Sequence, residues 1–192
     1  MKNKTIYIYL SIIALAITFH AKSQSFTLPR GYQTYKDYDG NEQRVDDDFD
    51  GDGMNDLAIV CSSKNDEKIV VVYLASNYLN DQSYWWFPWT YMMSSIEYKN
   101  NILIVGSSDC AGRCYKTLRL KYYANLNNMK LIGYEEGNYG DASHDGAYNK
   151  TININTGEYE INGVKNKISF ELITLTNIEK FFDYLSYLGT DD

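Results

Sequence analysis

From residue 57 onward, apolar stretches of strand length alternate with short polar breaks. They run Leu57–Cys61, Lys68–Leu74, Tyr91–Tyr98, Ile102–Gly106, Tyr115–Ala124, Met129–Glu135, Lys150–Ile154, Glu158–Ile161 and Lys167–Leu175. Their length and spacing are those of strands. In Leu118-Arg119-Leu120-Lys121-Tyr122 apolar and charged residues alternate strictly, the mark of a strand with one dry and one wet face. Asn155-Thr156-Gly157 and Asn162-Gly163 supply residues that accept positive φ, so each predicts a hairpin. The fold class that follows is mainly β, an antiparallel meander arranged as a sandwich, an open barrel or partial propeller-like sheets.

The period changes near the end. Ile178, Phe181, Phe182, Leu185 and Leu188 recur at helical spacing, and Thr176 with Glu179 reads as a capping box, so one C-terminal α-helix should lay its apolar stripe on a sheet. Gly189–Asp192 reads as a frayed end. The polar, tyrosine-rich stretch Arg30–Arg44 carries no decisive period. With two prolines and no low-complexity tract, nothing marks an internal boundary, and residues 24–192 read as one domain.

Residues 1–23 are of another kind. Lys2 and Lys4 precede an apolar run from Ile6 to Phe19, and Ala21-Lys22-Ser23 offers a small-x-small cleavage site, the layout of a secretory signal peptide. The run is shorter than the ~20 residues a spanning helix needs. The expected product is exported, periplasmic or secreted, without stable membrane insertion after cleavage. The leader holds Lys2, Lys4 and Lys22 and no acid, so its loss moves the formal charge from −7 to −10. Such a surface repels nucleic acid and favours cations or basic proteins.

Export permits disulfides. Cys110 and Cys114 flank Ala111-Gly112-Arg113, where the glycine lets the chain turn back, and are expected to pair; Cys61, after an apolar run, is expected to be a buried free thiol. A zinc site lacks donors, since His144 is the one histidine outside the leader.

The densest chemistry lies in Asp48-Phe49-Asp50-Gly51-Asp52-Gly53-Met54-Asn55-Asp56-Leu57. Carboxylates at alternate positions of a turning loop can point at one centre, as a hard cation such as calcium requires, and the carbonyl of Met54 stands where a backbone ligand belongs. An EF-hand would need a glutamate where Ile59 stands, and flanking helices, so that reading fails. The pattern Asp-x-Asp-x-Asp-Gly-x-x-Asp-Leu, followed by Ala58-Ile59-Val60, resembles the calcium loop of FG-GAP and VCBS-type repeats. The resemblance spans about residues 46–74 in a single copy, and it implies Asp48, Asp50, Asp52 and Asp56 as side-chain ligands, Met54 as a carbonyl ligand, and a loop joining two antiparallel strands. Together with Met129–Tyr134 and Ile152–Glu158, the chain also resembles a group of small exported bacterial proteins in which such a loop precedes a β meander. The second acidic stretch, Asp141–Gly146, is short of carboxylates and reads as a polar loop.

Tyr84–Tyr91 gathers all three tryptophans, and Trp85, Trp86 and Trp89 are candidate partner contacts as well as core residues. His144, between Ser143 and Asp145, has no nucleophile motif around it, and residues adjacent on one loop do not converge as a triad does. The expectation is therefore a calcium-binding, noncatalytic recognition module for a protein or glycan. An immunity-type protein that blocks a secreted toxin is the alternative, and a secreted hydrolase the third reading.

Overall fold

The computed structural model describes residues 26–76, 84–89, 93–141, 143, 144 and 146–188, the side chain of Cys110 excepted. The expected signal peptide and the tail Gly189–Asp192 lie outside the described residues. Two antiparallel sheets, neither closed, are built in chain order. The first holds β1 (Tyr32–Thr34), β2 (Arg44–Asp47), β3 (Asp56–Ser63), β4 (Lys68–Tyr73) and β5 (Trp85–Pro88). The second is a continuous meander of β6 (Met93–Lys99), β7 (Ile102–Asp109), β8 (Cys114–Tyr123), β9 (Asn128–Asn138), β10 (Tyr148–Asn153), β11 (Glu158–Ile161) and β12 (Val164–Lys167). The mainly β expectation holds, and each strand from β6 to β12 pairs with its sequence neighbour, as short polar breaks between apolar runs require.

The strands of the first sheet are less alike. β1 and β2 lie end to end along one edge of β3, Thr34 opposite Cys61 and Arg44 opposite Ile59, with residues 35–43 looping out between them. On its other edge β3 pairs with β4, and both are buried on both faces. Ala58, Val60, Val70 and Val72 face the larger sheet and join Leu103, Leu118, Leu131 and Tyr134 in one core. Leu57, Ile59, Cys61, Ile69, Val71 and Tyr73 form a second cluster on the far face, roofed by Phe26, Leu28 and Tyr84. The Phe26 ring sits 4.8 Å from that of Tyr73, whose hydroxyl donates to the carbonyl of Thr27. A strand covered twice reads as an unbroken apolar run, which is how Leu57–Cys61 and Lys68–Leu74 read.

The C-terminal helix α1 (Glu179–Tyr187) closes the core between the sheets. Its fully buried Phe181 meets Tyr134 edge-on at 5.2 Å and Phe182 lies 6.5 Å from Phe87, so the apolar stripe packs as expected. Its start differs. Ile178 precedes the helix without a side-chain cap, and Thr174 and Asn177 instead cap the 3-10 turn Leu175–Asn177 that leads into it, with the Thr174 N–H donating to Asn177 Oδ1 at 2.8 Å, while the Thr176 hydroxyl accepts from Asn128 at 2.8 Å. Asn128 draws that hydroxyl away from Glu179. Lys167–Leu175 is not one strand either: β12 ends at Lys167, and Ile168–Thr174 runs out of the sheet to the helix, touching β9 through a single bridge from Thr174 to Lys130. The apolar residues there serve the helix seat, Ile173 being fully buried.

Candidate metal centre

The aspartate loop bridges the paired ends of β2 and β3, Asp47 opposite Asp56. Its geometry follows from its alternation. Phe49 turns inward, 4 % exposed, with its ring 4.7 Å from Tyr98, and this pins the middle of the loop to the core. Asp48 and Asp50 on either side are thereby held on the other side of the chain. Gly51 and Gly53 take φ of 81° and 83°, a region costly for other residues, and the chain curls back over Asp48. Asp48 Oδ1 accepts the N–H of Gly51 at 2.7 Å and Oδ2 that of Gly53 at 2.9 Å.

Oxygens of Asp48, Asp50 and Asp56 come within 4.8 Å of one another. Asp56 is fully buried. One of its oxygens accepts the Phe49 N–H and the other the Ala75 N–H, each at 2.7 Å, so this carboxylate ties the loop to the chain leaving β4. Burial pushes its pKa up to about 7; the two N–H donors oppose the shift and the charges of Asp50 and Asp52 add to it. Asp50 Oδ2 accepts the Ser76 hydroxyl at 2.5 Å. Burial, then the aspartate charges, also raise the pKa values of Tyr98 and Tyr122, which shows how far the negative field of the loop reaches.

The other expected site residues are more scattered. Asp52 is not one of the group of three, although its carboxyl lies beside that of Asp50; its Oδ1 accepts the Met54 N–H at 2.7 Å, and the Met54 side chain is exposed. Trp85 and Trp89 are 7 % and 2 % exposed and belong to the core, whereas Trp86 is 54 % exposed on the outer face of β5. Cys61 is a buried free thiol and Cys114 is disulfide-bonded; the side chain of Cys110 lies outside the described residues. His144 sits on an exposed turn with its Nδ1 3.3 Å from the carbonyl of Tyr139. Sequence reasoning missed Ser76 and the Ala75 N–H, and the signal was faint. They sit just past β4, and only the pairing of β3 with β4 brings them beside the loop.

The residues gathered here are all oxygen donors, three carboxylates and a hydroxyl. Bringing three carboxylates together in a partly buried place is unfavourable unless a cation or a proton on one of them offsets their repulsion. That donor set fits a hard divalent ion and is unsuited to a soft one. Compared with protein families, with curated proteins and with solved structures, the chain finds no match.

Proposed function

We propose that the chain is an exported, noncatalytic recognition module for a protein or glycan partner, held in shape by calcium at the aspartate loop. The observation that carries the metal reading is the convergence of Asp48, Asp50 and Asp56 with one of them fully buried. The spacing that resembles FG-GAP loops supports it, and so does the position between two antiparallel strands. Asp48, Asp50 and Asp56 would hold the ion, with Asp52 and the Met54 carbonyl as the further ligands the resemblance implies. Bound calcium would supply the counter-charge that the cluster needs. Asp56 already joins the loop to the end of β4, so an ion there would bind more tightly to the folded chain than to the unfolded one, and binding would add to stability.

Calorimetric titration of calcium into chelator-treated protein, with melting curves in both conditions, tests this. Saturation at a hundred times Kd should stabilise the fold by about 2.7 kcal/mol. Asp50→Ala is the variant of choice because Asp50 gives up the Ser76 contact and one exposed N–H, that of Asp52, whereas Asp56 satisfies two buried backbone N–H groups. It should remove most of the calcium-dependent rise in melting temperature while the calcium-free protein melts nearly as before. A wild-type melting curve indifferent to calcium would sink the metal reading.

A further inference from the structure

The outer face of the larger sheet carries a second feature that the aspartate loop does not explain. Strand register sorts its outward residues into rows: Tyr115, Gly137 and Asn149; then Thr117, Glu135, Thr151, Glu160 and Lys165; then Arg119, Gly133, Asn153, Glu158 and Lys167. On β9, in the middle, two of the outward positions are glycines: the Tyr115 ring fills the space over Gly137, Glu135 stands between the two, and a trough is left beside Gly133. A Cβ at Gly137 would stand 2.7 Å from the Tyr115 ring, so that ring lies flat over the glycine backbone. Gly133 has room, its nearest neighbours 3.7 Å or more from an added Cβ.

Two hollows lie along this face. One of about 360 Å³ is walled by Tyr115, Tyr139, Tyr148, Asn149 and Asn162; the other, about 640 Å³, lies next to it over β8–β12 between Arg119 and Lys167. Both fall in the range of roughly 300–1,000 Å³ usual for ligand sites, and their adjacency suits a chain of units rather than one. In the smaller hollow the rings of Tyr115 and Tyr139 are 5.5 Å apart and tilted by 33°, and Tyr139 is 62 % exposed. The Tyr115 hydroxyl donates to Asn149 Oδ1 at 3.3 Å, and Asn162 Oδ1 accepts the Asn149 N–H at 3.0 Å. With both oxygens engaged, each amide keeps an NH₂ group that can donate to a ligand.

In the larger hollow the charges cancel: Arg119, Lys165 and Lys167 stand against Glu135, Glu158 and Glu160. Arg119 pairs with Glu135 at 3.1 Å and Lys165 with Glu160 at 4.0 Å. On a chain of formal charge −7 this neutral patch selects against polyanions and offers polycations no excess charge. Flat tyrosine faces beside paired carboxamides match a ligand with apolar C–H faces and many hydroxyls.

We propose that this trough binds an uncharged oligosaccharide, one ring over Tyr115 and Tyr139 and the following rings past Glu135 toward Gly133, in the row of Arg119, Glu158 and Lys167. The proposal deepens the recognition reading and rests on it, but it is independent of the metal loop. The test is calorimetric titration of the protein, with and without calcium, using hexasaccharides of β-1,4-glucose, β-1,4-xylose and α-1,4-glucose and chitohexaose. Hexagalacturonate serves as the charged control and a hydrophilic peptide library as the protein-type control. At least one neutral hexasaccharide should bind below millimolar Kd. Tyr139→Ala and Gly133→Leu, one removing a platform and the other filling the trough, should each weaken binding tenfold or more with melting temperatures kept. No binding of any neutral sugar, binding of the galacturonate or peptides alone, or binding indifferent to both substitutions would overturn the proposal. Shortening of a bound sugar would uphold the trough and end the noncatalytic reading. Loss of the calcium effect alone would leave the trough standing.

Discussion

β3 with β4 and β11 with β12 are both antiparallel pairs, yet they are built on opposite principles. Every residue of β4 is buried, whereas β12 is exposed throughout and carries Val164 at 62 % exposure. The first pair is held by apolar burial on two faces, the second by backbone pairing and surface charge. The difference teaches where each candidate function can sit. The proposed metal loop is anchored at one end by β3, a strand buried on both faces, while the proposed partner face is laid on strands whose outward side chains are not committed to a core.

Three substitutions sharpen or break this comparison. Ile59→Ala, on the far face of β3, removes a fully packed side chain under the roof of Phe26 and Leu28 and should cost about 2–5 kcal/mol in urea unfolding. A loss below 1 kcal/mol would mean that the roof contributes little. The intermediate case is Glu136, on the inward side of β9, which takes Lys150 at 3.1 Å and Lys116 at 3.5 Å, and the Tyr134 hydroxyl at 2.5 Å. Burial works to raise its pKa, but the tyrosine and the two lysines outweigh burial and hold it below the usual value. Its stabilising contribution is therefore present above the unfolded-state pKa and is lost as pH falls through the lower folded-state value. Glu136→Gln should cost about 3 kcal/mol near neutrality and flatten the acid limb of the stability profile; an unchanged limb would show that other carboxylates set it. Smallest of all, Val164→Thr on β12 should stay within about 0.5 kcal/mol of wild type. If it rivals Ile59→Ala, the contrast between the two pairs is wrong.

How much of this was legible depended on what each strand buries. The strands β3, β4 and β6–β11 announced themselves because their apolar runs or alternations are long, and turns such as Asn162-Gly163 fall between them. β1 and β2 carry no such signal of their own: each has three or four residues and both borrow their order from the edge of β3, and only the resemblance of the aspartate loop implied a strand before it. β5 hid in the tryptophan segment, where Trp85 and Phe87 point inward and Trp86 outward, an alternation masked because both faces carry aromatics. Ile168–Thr174 looked like a strand because hydrophobicity records burial and not hydrogen bonding. At the aspartate loop, local spacing was enough to bring Asp48, Asp50 and Asp56 together. Local spacing also counted Asp52 with them; its carboxyl lies beside Asp50 but is not one of the group of three. The trough was invisible in sequence, since it needs five strands in register before the glycines and tyrosines align.

β12 has one more consequence, for life at high concentration. As the last strand of a seven-stranded sheet it has, among the described residues, no strand on its outer side, and an edge of that kind invites the sheet of a second molecule to extend it. It is only four residues long and bears Lys165 and Lys167, so an approaching copy would meet its own cations head-on. The open border of the sheet is thus guarded against fibre-like growth, and the sheet remains finite although it never closes into a barrel.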